Sequence, residues 1–196
     1  MFHEWAHYLT GRLIGNGSGM VTNQSQGMAE GWSDFTALLL TARADDALTP
    51  SNSTFNGVYP VGAYVGSGGD NDGYYFGIRR YPYSTDMTKN PLTFKHIQAA
   101  QALPVGPPRN SNQNLPINAS NAEAHNTGEV WASMLWECYA SLLRDTQGPT
   151  PRLTFQEAQT RMKYYLVAAL KMTPINPTFV EGRDALLVAA YATDPV

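Results

Sequence analysis

His3-Glu4-Trp5-Ala6-His7 stands almost at the start of the chain, and the run Glu30-Gly31-Trp32-Ser33-Asp34 follows it 23 residues later. The first five residues match the pattern H-E-x-x-H. Side chains four positions apart lie on one face of a helix, so His3 and His7 can reach the same metal ion. Glu4 lies beside them, where it can take a proton from a metal-bound water. The pattern predicts a metal site on a helix over residues 1–13.

Glu30 and Asp34 have the same spacing on a second predicted helix, at about residues 29–44. Glu30 can complete the ligand set, because two imidazoles and one carboxylate leave the open position that is typical of catalytic zinc. Asp34 can accept the free ring N–H of a ligand histidine, for which His3 is our prediction. The alternative is a solvent-facing helix that carries two histidines and binds no metal.

Further segments make the chain similar to the fungalysin family of zinc metallopeptidases, gluzincins related to thermolysin. These segments are GIRRYPYSTD at 77–86, NPLTF at 90–94, GEVWA at 128–132 with LWE at 135–137, and NPTFV at 176–180 with RDA at 183–185. The resemblance implies a mainly α fold, the helical C-terminal half of a thermolysin-like zincin fold, with long irregular loops and little strand. It also implies one metallopeptidase domain over residues 1–196, a β-rich half and an inhibitory pro-segment upstream of it, and secretion to the extracellular space.

His125 lies near the start of a predicted helix, where a lone histidine is more often structural. The resemblance implies instead that His125 donates a hydrogen bond to the oxyanion of a tetrahedral intermediate, which an imidazole can do near neutral pH. In thermolysin an aspartate five positions upstream orients this histidine. That position is Ser120 here, so Glu123 or a residue elsewhere takes the role, or none does. Thermolysin also places an oxyanion-binding tyrosine before the third ligand, but residues 9–29 contain none.

Several other residues have two interpretations. Arg79 or Arg80 can bind a substrate carbonyl, as an arginine does in thermolysin relatives, or the two can be a solvated surface pair. The run Asp70-Asn71-Asp72-Gly73 offers oxygen ligands for Ca²⁺, but it lacks the EF-hand spacing and is better interpreted as a turn. His96 is expected on a helix surface, and Cys138 as a small buried hydrophobe.

Composition excludes several classes of function. Charged residues are 15% of the 196 residues and the formal net charge is -3, which gives no electrostatic reason to expect nucleic acid. Lysine and arginine are scattered along the chain, so no basic membrane-binding patch is indicated. No apolar run approaches the length that a bilayer-spanning helix needs.

The rest of the chain divides into a loop-rich middle and a helical last third. Residues 45–91 are expected to form loops with extended pieces at 59–64 and 74–78, followed by a short helix at 93–102. Three later helices are predicted from their capping residues: from Asn126 or Thr127 to about Asp145, from the capping box Thr154–Glu157 to Met172, and from Asn176 with Pro177 to about Ala192.

Together these features predict a zinc-dependent endopeptidase that acts on proteins or peptides, with Glu4 as general base and His125 as oxyanion stabiliser. The resemblance implies cleavage on the amino side of bulky apolar residues. The alternative is a zinc-stabilised, catalytically weak or inactive protein-binding domain without the substrate-binding half. Glu4 favours the enzyme, because a purely structural zinc site has no use for a base.

Overall fold

A computed structural model describes residues 1–66, 72–112 and 119–194, and α-helices dominate these ranges. The helices are α1 (Phe2–Leu13), α2 (Asn23–Thr41), α3 (Ala63–Gly66), α4 (Asp72–Phe76), α5 (Ala124–Arg144), α6 (Phe155–Met172) and α7 (Phe179–Thr193). Short 3-10 turns occur at Gly15–Gly17, Ala44–Leu48, Pro50–Asn52 and Phe94–Ile97. Strand pairing in the described ranges consists of one antiparallel bridge between Tyr59 and Tyr83. The predicted mainly α fold with little strand is confirmed.

Helices α2 and α5 form the largest interface between elements, and α1 packs against the same helix α2. Glycine makes the close approach of α2 and α5 possible. A Cβ on Gly31 would lie 2.5 Å from the carbonyl oxygen of Gly128, and a Cβ on Gly128 would lie 2.7 Å from Cβ of Glu30. These contacts are closer than side chains tolerate. The absence of side chains at these two positions therefore brings Glu30 next to the first turn of α5.

Large aromatic side chains fill the space between the same two helices. The rings of Trp32 and Trp131 meet edge to face with their centroids 5.4 Å apart, and Phe35 meets Tyr139 in the same way at 6.3 Å. All four side chains are buried. Burial of each such side chain stabilises the fold by about 1.5–3 kcal/mol. This core holds the helices that bear the site residues in a fixed relation.

The observed capping residues correct two predicted helix starts. Helix α2 begins earlier than predicted, because the side chain of Thr22 accepts from the N–H of Ser25 and Ser25 bonds back in a capping box. Helix α5 is capped by Glu123 rather than by Asn126 or Thr127. His125 therefore lies inside the first turn of α5. The capping box of Thr154 and Glu157 is present at the start of α6, as predicted.

The predicted cap of the last helix is also wrong. Helix α7 starts after Thr178, which forms a capping box with Glu181. Asn176 has a left-handed backbone with φ of 52°. Its Oδ1 accepts from the N–H of Val21, and its own N–H donates to the carbonyl of Gly19. Asn176 thus connects the start of α2 to the segment between α6 and α7.

Two predicted elements of the loop region differ from the structure. The piece expected to be extended at 74–78 is helical as far as Phe76, and the N–H of Gly77 donates to the carbonyl of Gly73. In the piece expected to be extended at 59–64, Tyr59 forms the bridge with Tyr83, but helix α3 begins already at Ala63. The helix expected at 93–102 is a single 3-10 turn, Phe94–Ile97.

The exposures predicted for His96 and Cys138 are both wrong. His96 is buried, and its Nδ1 accepts a hydrogen bond from the N–H of Thr93. Cys138 is exposed. The buried face of α5 passes through Leu135, Trp136, Tyr139, Ala140 and Leu143, and Cys138 lies just outside it. Among the described residues, no helix combines the length and apolar character needed to cross a membrane.

Candidate metal centre

Three side chains from α1 and α2 converge on one point. The Nε2 atoms of His3 and His7 lie 3.1 Å apart. Glu30 Oε2 lies 3.4 Å from Nε2 of His3, and Glu30 Oε1 lies 3.5 Å from Nε2 of His7. Among the residues that the structure describes, His3, His7 and Glu30 form the one group of three or more histidine, cysteine and acidic side chains close enough together to bind a single metal ion. The i, i+4 spacing on α1 and the packing of α1 on α2 together produce the cluster.

The dimensions of the cluster fit a zinc ion. Two ligand atoms that are each about 2.0–2.1 Å from a tetrahedral zinc lie about 3.4 Å from one another. The two histidine nitrogens lie 3.1 Å apart, and each has one oxygen of Glu30 at a similar distance: Oε2 is 3.4 Å from His3 and Oε1 is 3.5 Å from His7. Glu30 Oε2 is also buried without a hydrogen-bond partner among the described residues. A buried oxygen of this kind is costly unless something pairs with it, and a metal ion would do so.

Asp34 binds Nδ1 of His3, the ring nitrogen on the side away from the cluster. Its side chain is buried, and its Oδ1 lies 2.7 Å from Nδ1 of His3. Arg79 donates to both carboxylate oxygens of Asp34, from Nε at 2.6 Å and from Nη2 at 2.9 Å. The hydroxyl of Tyr83 donates to Oδ2 at 2.5 Å. Since Nδ1 of His3 is engaged by a carboxylate, its Nε2 faces the cluster with a lone pair available in the neutral form.

The charges around the cluster are strongly coupled. Burial favours the neutral form of His3, but the hydrogen bond to Asp34 and the nearby carboxylate of Glu30 outweigh it and raise the pKa of His3 to about 9. Burial likewise opposes ionisation of Asp34, yet Arg79 and His3 lower its pKa to about 2. The pKa of Glu30 is held below its usual range despite burial, because the imidazoles of His3, His7 and His125 lie close to its carboxylate. A metal ion that binds here would displace the proton that His3 holds near neutral pH.

Glu4 is exposed on α1 and lines a cavity of about 410 Å³ next to the cluster. Neither of its carboxylate oxygens belongs to the group of three ligands. His3, Arg79 and His125 line the same cavity. Its other side is largely apolar and includes Phe2, Ala37, Pro60, Val61, Val65 and Ile78. The cavity therefore joins the ligand cluster, a free carboxylate, an imidazole and an apolar wall.

His125 reaches the cluster from the first turn of α5. Its Nε2 lies 3.4 Å from Oε2 of Glu30, and its Nδ1 lies 2.7 Å from Oε1 of Glu123. The other oxygen of Glu123 accepts from the N–H of Asn126 at 3.1 Å. The hydroxyl of Ser120 instead accepts from the N–H of Ala122. Of the alternatives that the sequence left open, the structure brings Glu123 to His125.

The interpretation of Arg79 and Arg80 as a solvated surface pair is wrong. Their exposed fractions are 3% and 0%. Every donor nitrogen of Arg80 is directed to a protein acceptor in the fold: its Nε to Glu129, its Nη1 to Asn121 and its Nη2 to the carbonyl of Asn126. Arg80 is therefore not available to a substrate. Arg79 binds Asp34 and also lines the cavity.

Sequence reasoning did not find Tyr83 and Glu129. No local pattern separates a buried tyrosine or glutamate that supports a site from one that lies on a surface. A separate expectation, a calcium site at residues 70–73, cannot be placed, because Asp70 and Asn71 lie outside the described residues.

Comparisons with known proteins identify the family of this chain. A family model described as "Fungalysin metallopeptidase (M36)" matches residues 1–194. "Extracellular metalloproteinase mep" of Aspergillus terreus is 32% identical over 201 residues, which cover 98% of this chain and 26% of that protein. "Extracellular metalloproteinase 10" of Coccidioides posadasii is 33% identical over 202 residues, with 98% and 27% covered.

The chain belongs to the fungalysin metallopeptidase family. It has the helical C-terminal half of the thermolysin-like fold of that family. The chain spans about a quarter of the length of the curated relatives that it matches. Membership of a metallopeptidase family implies a metal, and the names of the relatives support secretion.

Proposed function

We propose that this chain carries the catalytic centre of a secreted zinc-dependent endopeptidase. The observation that carries the proposal is the convergence of His3, His7 and Glu30 beside one cavity that Glu4 and His125 also line. A structural zinc site has four protein ligands and no open position. A three-ligand cluster that opens into a cavity with a free carboxylate is the arrangement of a hydrolytic centre.

Each residue has a distinct role in this proposal. His3, His7 and Glu30 hold the zinc ion, and Asp34 keeps Nε2 of His3 directed at it. When bound, the zinc supplies a Lewis acid and a water of lowered pKa. Glu4 accepts the proton of the attacking water and passes it to the leaving amine.

His125 stabilises the oxyanion by donating from Nε2, which faces the cluster. Glu123 holds Nδ1 of the same ring, and the protonated ring can donate from both nitrogens at once. This arrangement supplies the carboxylate that Ser120 cannot offer.

The substrates in this proposal are proteins and peptides. The apolar wall of the cavity suits a bulky apolar side chain, which would lie next to the metal cluster during cleavage. Arg79 lies on the same cavity with Nε and Nη2 bound to Asp34, and in the described structure Nη1 has no hydrogen bond. That nitrogen is the donor we assign to a substrate carbonyl. No substrate role is proposed for Arg80.

A second candidate is a zinc-stabilised protein-binding domain with little or no catalysis. The exposed aromatic residues of α1 favour it: Phe2, Trp5 and Tyr8 are 44%, 52% and 66% exposed. The three residues follow one another at intervals of three on α1, so they lie on one side of it, and contiguous exposed apolar surface is typical of protein-binding sites. Under both candidates we retain the proposal that residues 1–196 form one metallopeptidase domain; the enzyme candidate adds the proposal of a β-rich half and an inhibitory pro-segment upstream of it.

One assay separates the two candidates. The zinc-loaded chain is incubated with casein and with an internally quenched peptide that has a bulky apolar residue after the scissile bond. The enzyme candidate requires zinc-dependent hydrolysis that Glu4→Gln abolishes. The binding candidate requires zinc uptake with the same residual turnover in the wild type and in Glu4→Gln.

A further inference from the structure

We propose that Arg80 is a positioning residue that fixes the first turn of α5, and with it His125, relative to the metal cluster. The proposal rests on the proposed function, because it assigns Arg80 to the same active site. Arg79 and Arg80 are neighbours in the chain, yet one binds α2 and the other binds α5. The dipeptide Arg79-Arg80 therefore connects α2 to α5, and we call it the brace.

The Arg79 end of the brace acts on the metal ligands. Its guanidinium makes two hydrogen bonds to Asp34, which in turn lies 2.7 Å from Nδ1 of His3. Arg79 Nη2 also lies 3.8 Å from Oε2 of Glu30. Two of the three proposed ligands are thus held in register with Arg79.

The Arg80 end acts on the first turns of α5. Its Nη2 donates at 2.6 Å to the carbonyl of Asn126, the residue that follows His125. Its Nε and its backbone N–H donate to the two carboxylate oxygens of Glu129, at 2.9 and 2.7 Å. Its Nη1 donates at 2.7 Å to Asn121, which lies just before the helix. One fully buried guanidinium therefore fixes backbone and side chains on both sides of His125.

The backbone that joins the two arginines is itself immobilised. The N–H of Ile78 donates to the carbonyl of Val61 at 2.9 Å, and Asn110 bonds the carbonyls of both Arg79 and Arg80 at 3.0 Å. Gly77 has φ of 62°, and a Cβ there would lie 2.0 Å from the carbonyl oxygen of Val61. A displacement at one end of such a segment is transmitted to the other end.

The connection between the two helices matters for catalysis because it sets the position of His125 relative to the metal cluster. An oxyanion donor works only within hydrogen-bond distance of the atom on which charge develops, and a misplacement of about 1 Å can cost about 10²-fold in rate. His125 lies on α5, whereas the proposed zinc ligands lie on α1 and α2, so its distance from them depends on the position of α5 relative to these helices. Arg80 holds the start of α5, and its chain neighbour Arg79 binds Asp34, the residue that orients His3.

The test uses Arg80→Lys. Lysine keeps a positive charge beside Glu129, but its compact ammonium cannot bind Glu129, Asn121 and the carbonyl of Asn126 together. The readouts are zinc affinity from competition with a chromogenic chelator and the ring signals of His125 in ¹H–¹⁵N spectra, with Zn²⁺ and with Co²⁺ as the metal. With four histidines in the chain these signals are few enough to assign.

We expect the His125 ring signals and their Co²⁺-induced shifts to move in Arg80→Lys. Zinc affinity should stay well short of the about 10–100-fold loss that follows removal of a group supporting a ligand. In a peptidase assay kcat should fall by up to about 10²-fold with little change in KM. Glu129→Gln, which keeps an acceptor for the N–H of Arg80, should shift the same signals by a smaller amount and serves if Arg80→Lys does not fold.

Met162→Ala is the control for general destabilisation. Met162 is buried on α6 and packs near Cys138 and Leu142, far along α5 from His125. The proposal is overturned if Arg80→Lys and Glu129→Gln leave the His125 signals and kcat unchanged, or alter them no more than Met162→Ala does. If the wild-type chain takes up no zinc, the proposed function fails, whereas the His125 signals of the metal-free protein still test the brace.

Discussion

Glu123 and His125 share one short contact: Oε1 of the carboxylate lies 2.7 Å from Nδ1 of the imidazole. The second oxygen of Glu123 accepts from the N–H of Asn126 and caps α5. One side chain therefore both starts the helix and orients the histidine in its first turn. The ring of His125 is consequently fixed by a contact only two residues away, with its Nε2 directed at Glu30.

The first prediction concerns the metal. The chain purified without chelator should contain one zinc bound by His3, His7 and Glu30, and each single alanine substitution of these residues should lower its affinity strongly. Metal analysis and X-ray absorption, with nitrogen distances of about 2.0–2.1 Å, check this. His96→Ala is the control, because that histidine is bonded to Thr93 and should not affect zinc content. Absence of stoichiometric zinc would exclude the site.

The second prediction concerns the general base. Glu4 lies on the cavity but outside the ligand cluster, so Glu4→Gln should retain zinc while hydrolysis falls by several orders of magnitude. Zinc content and kcat/KM are measured on the same preparation. Near-normal turnover in Glu4→Gln would show that Glu4 has been given the wrong role.

The third prediction concerns Asp34. Asp34→Ala should weaken zinc binding by about 10–100-fold, because His3 loses the acceptor that orients it. It also leaves the buried Arg79 without its carboxylate, which costs about 3–5 kcal/mol of stability. Asp34→Asn keeps an oxygen acceptor for His3 but removes the charge that pairs with Arg79, so it should lose stability while zinc affinity falls less than in Asp34→Ala. Asp45→Ala, in an exposed pair with Arg43, is a control that should change neither quantity. Unchanged zinc affinity in Asp34→Ala would contradict the assignment.

The fourth prediction concerns oxyanion stabilisation. His125→Ala should lower kcat by about 10²–10³-fold with zinc content unchanged, because the imidazole donates mainly in the transition state. Glu123→Gln should give part of that loss, since the amide is uncharged and cannot stabilise the imidazolium. Ser120→Ala is the matched control, because its hydroxyl serves only the loop before α5 in the described contacts. Equal kcat in wild type and His125→Ala would remove the role.

The fifth prediction concerns acid stability. Hydrogen bonds from Thr154 hold the pKa of Glu157 below its usual value, and those from Thr178 do the same for Glu181. A depressed carboxyl pKa stabilises the fold above the unfolded value, and this stability is lost as pH falls through the folded pKa. Between about pH 5 and pH 3 the metal-free wild type should therefore lose more thermal stability than Glu157→Gln/Glu181→Gln. Parallel losses in the two proteins would contradict the prediction.

Local geometry explains why much of the site could be predicted. The i, i+4 spacing alone places His3 beside His7 and Glu30 on the same face as Asp34, and the structure shows the hydrogen bond expected between Asp34 and His3. The capping box at the start of α6 was visible for the same reason, since its partners are three residues apart. These features depend on the period of the helix, which the sequence displays directly.

Other features depend on which segments meet. The sequence is equally compatible with Arg79 and Arg80 on the surface. The fold instead buries them against the carboxylates of Asp34 and Glu129, which lie 45 and 49 residues away in the chain. His96 was assigned to the wrong environment because the helix expected at 93–102 is a single 3-10 turn, and Cys138 because it lies just outside the buried face of α5. The sequence alone was enough to determine the candidate ligands, their spacing and the mainly helical fold. Only the packing of α2 against α5 decided where His125 stands and what holds it, because contacts between distant segments leave no periodic trace in the chain.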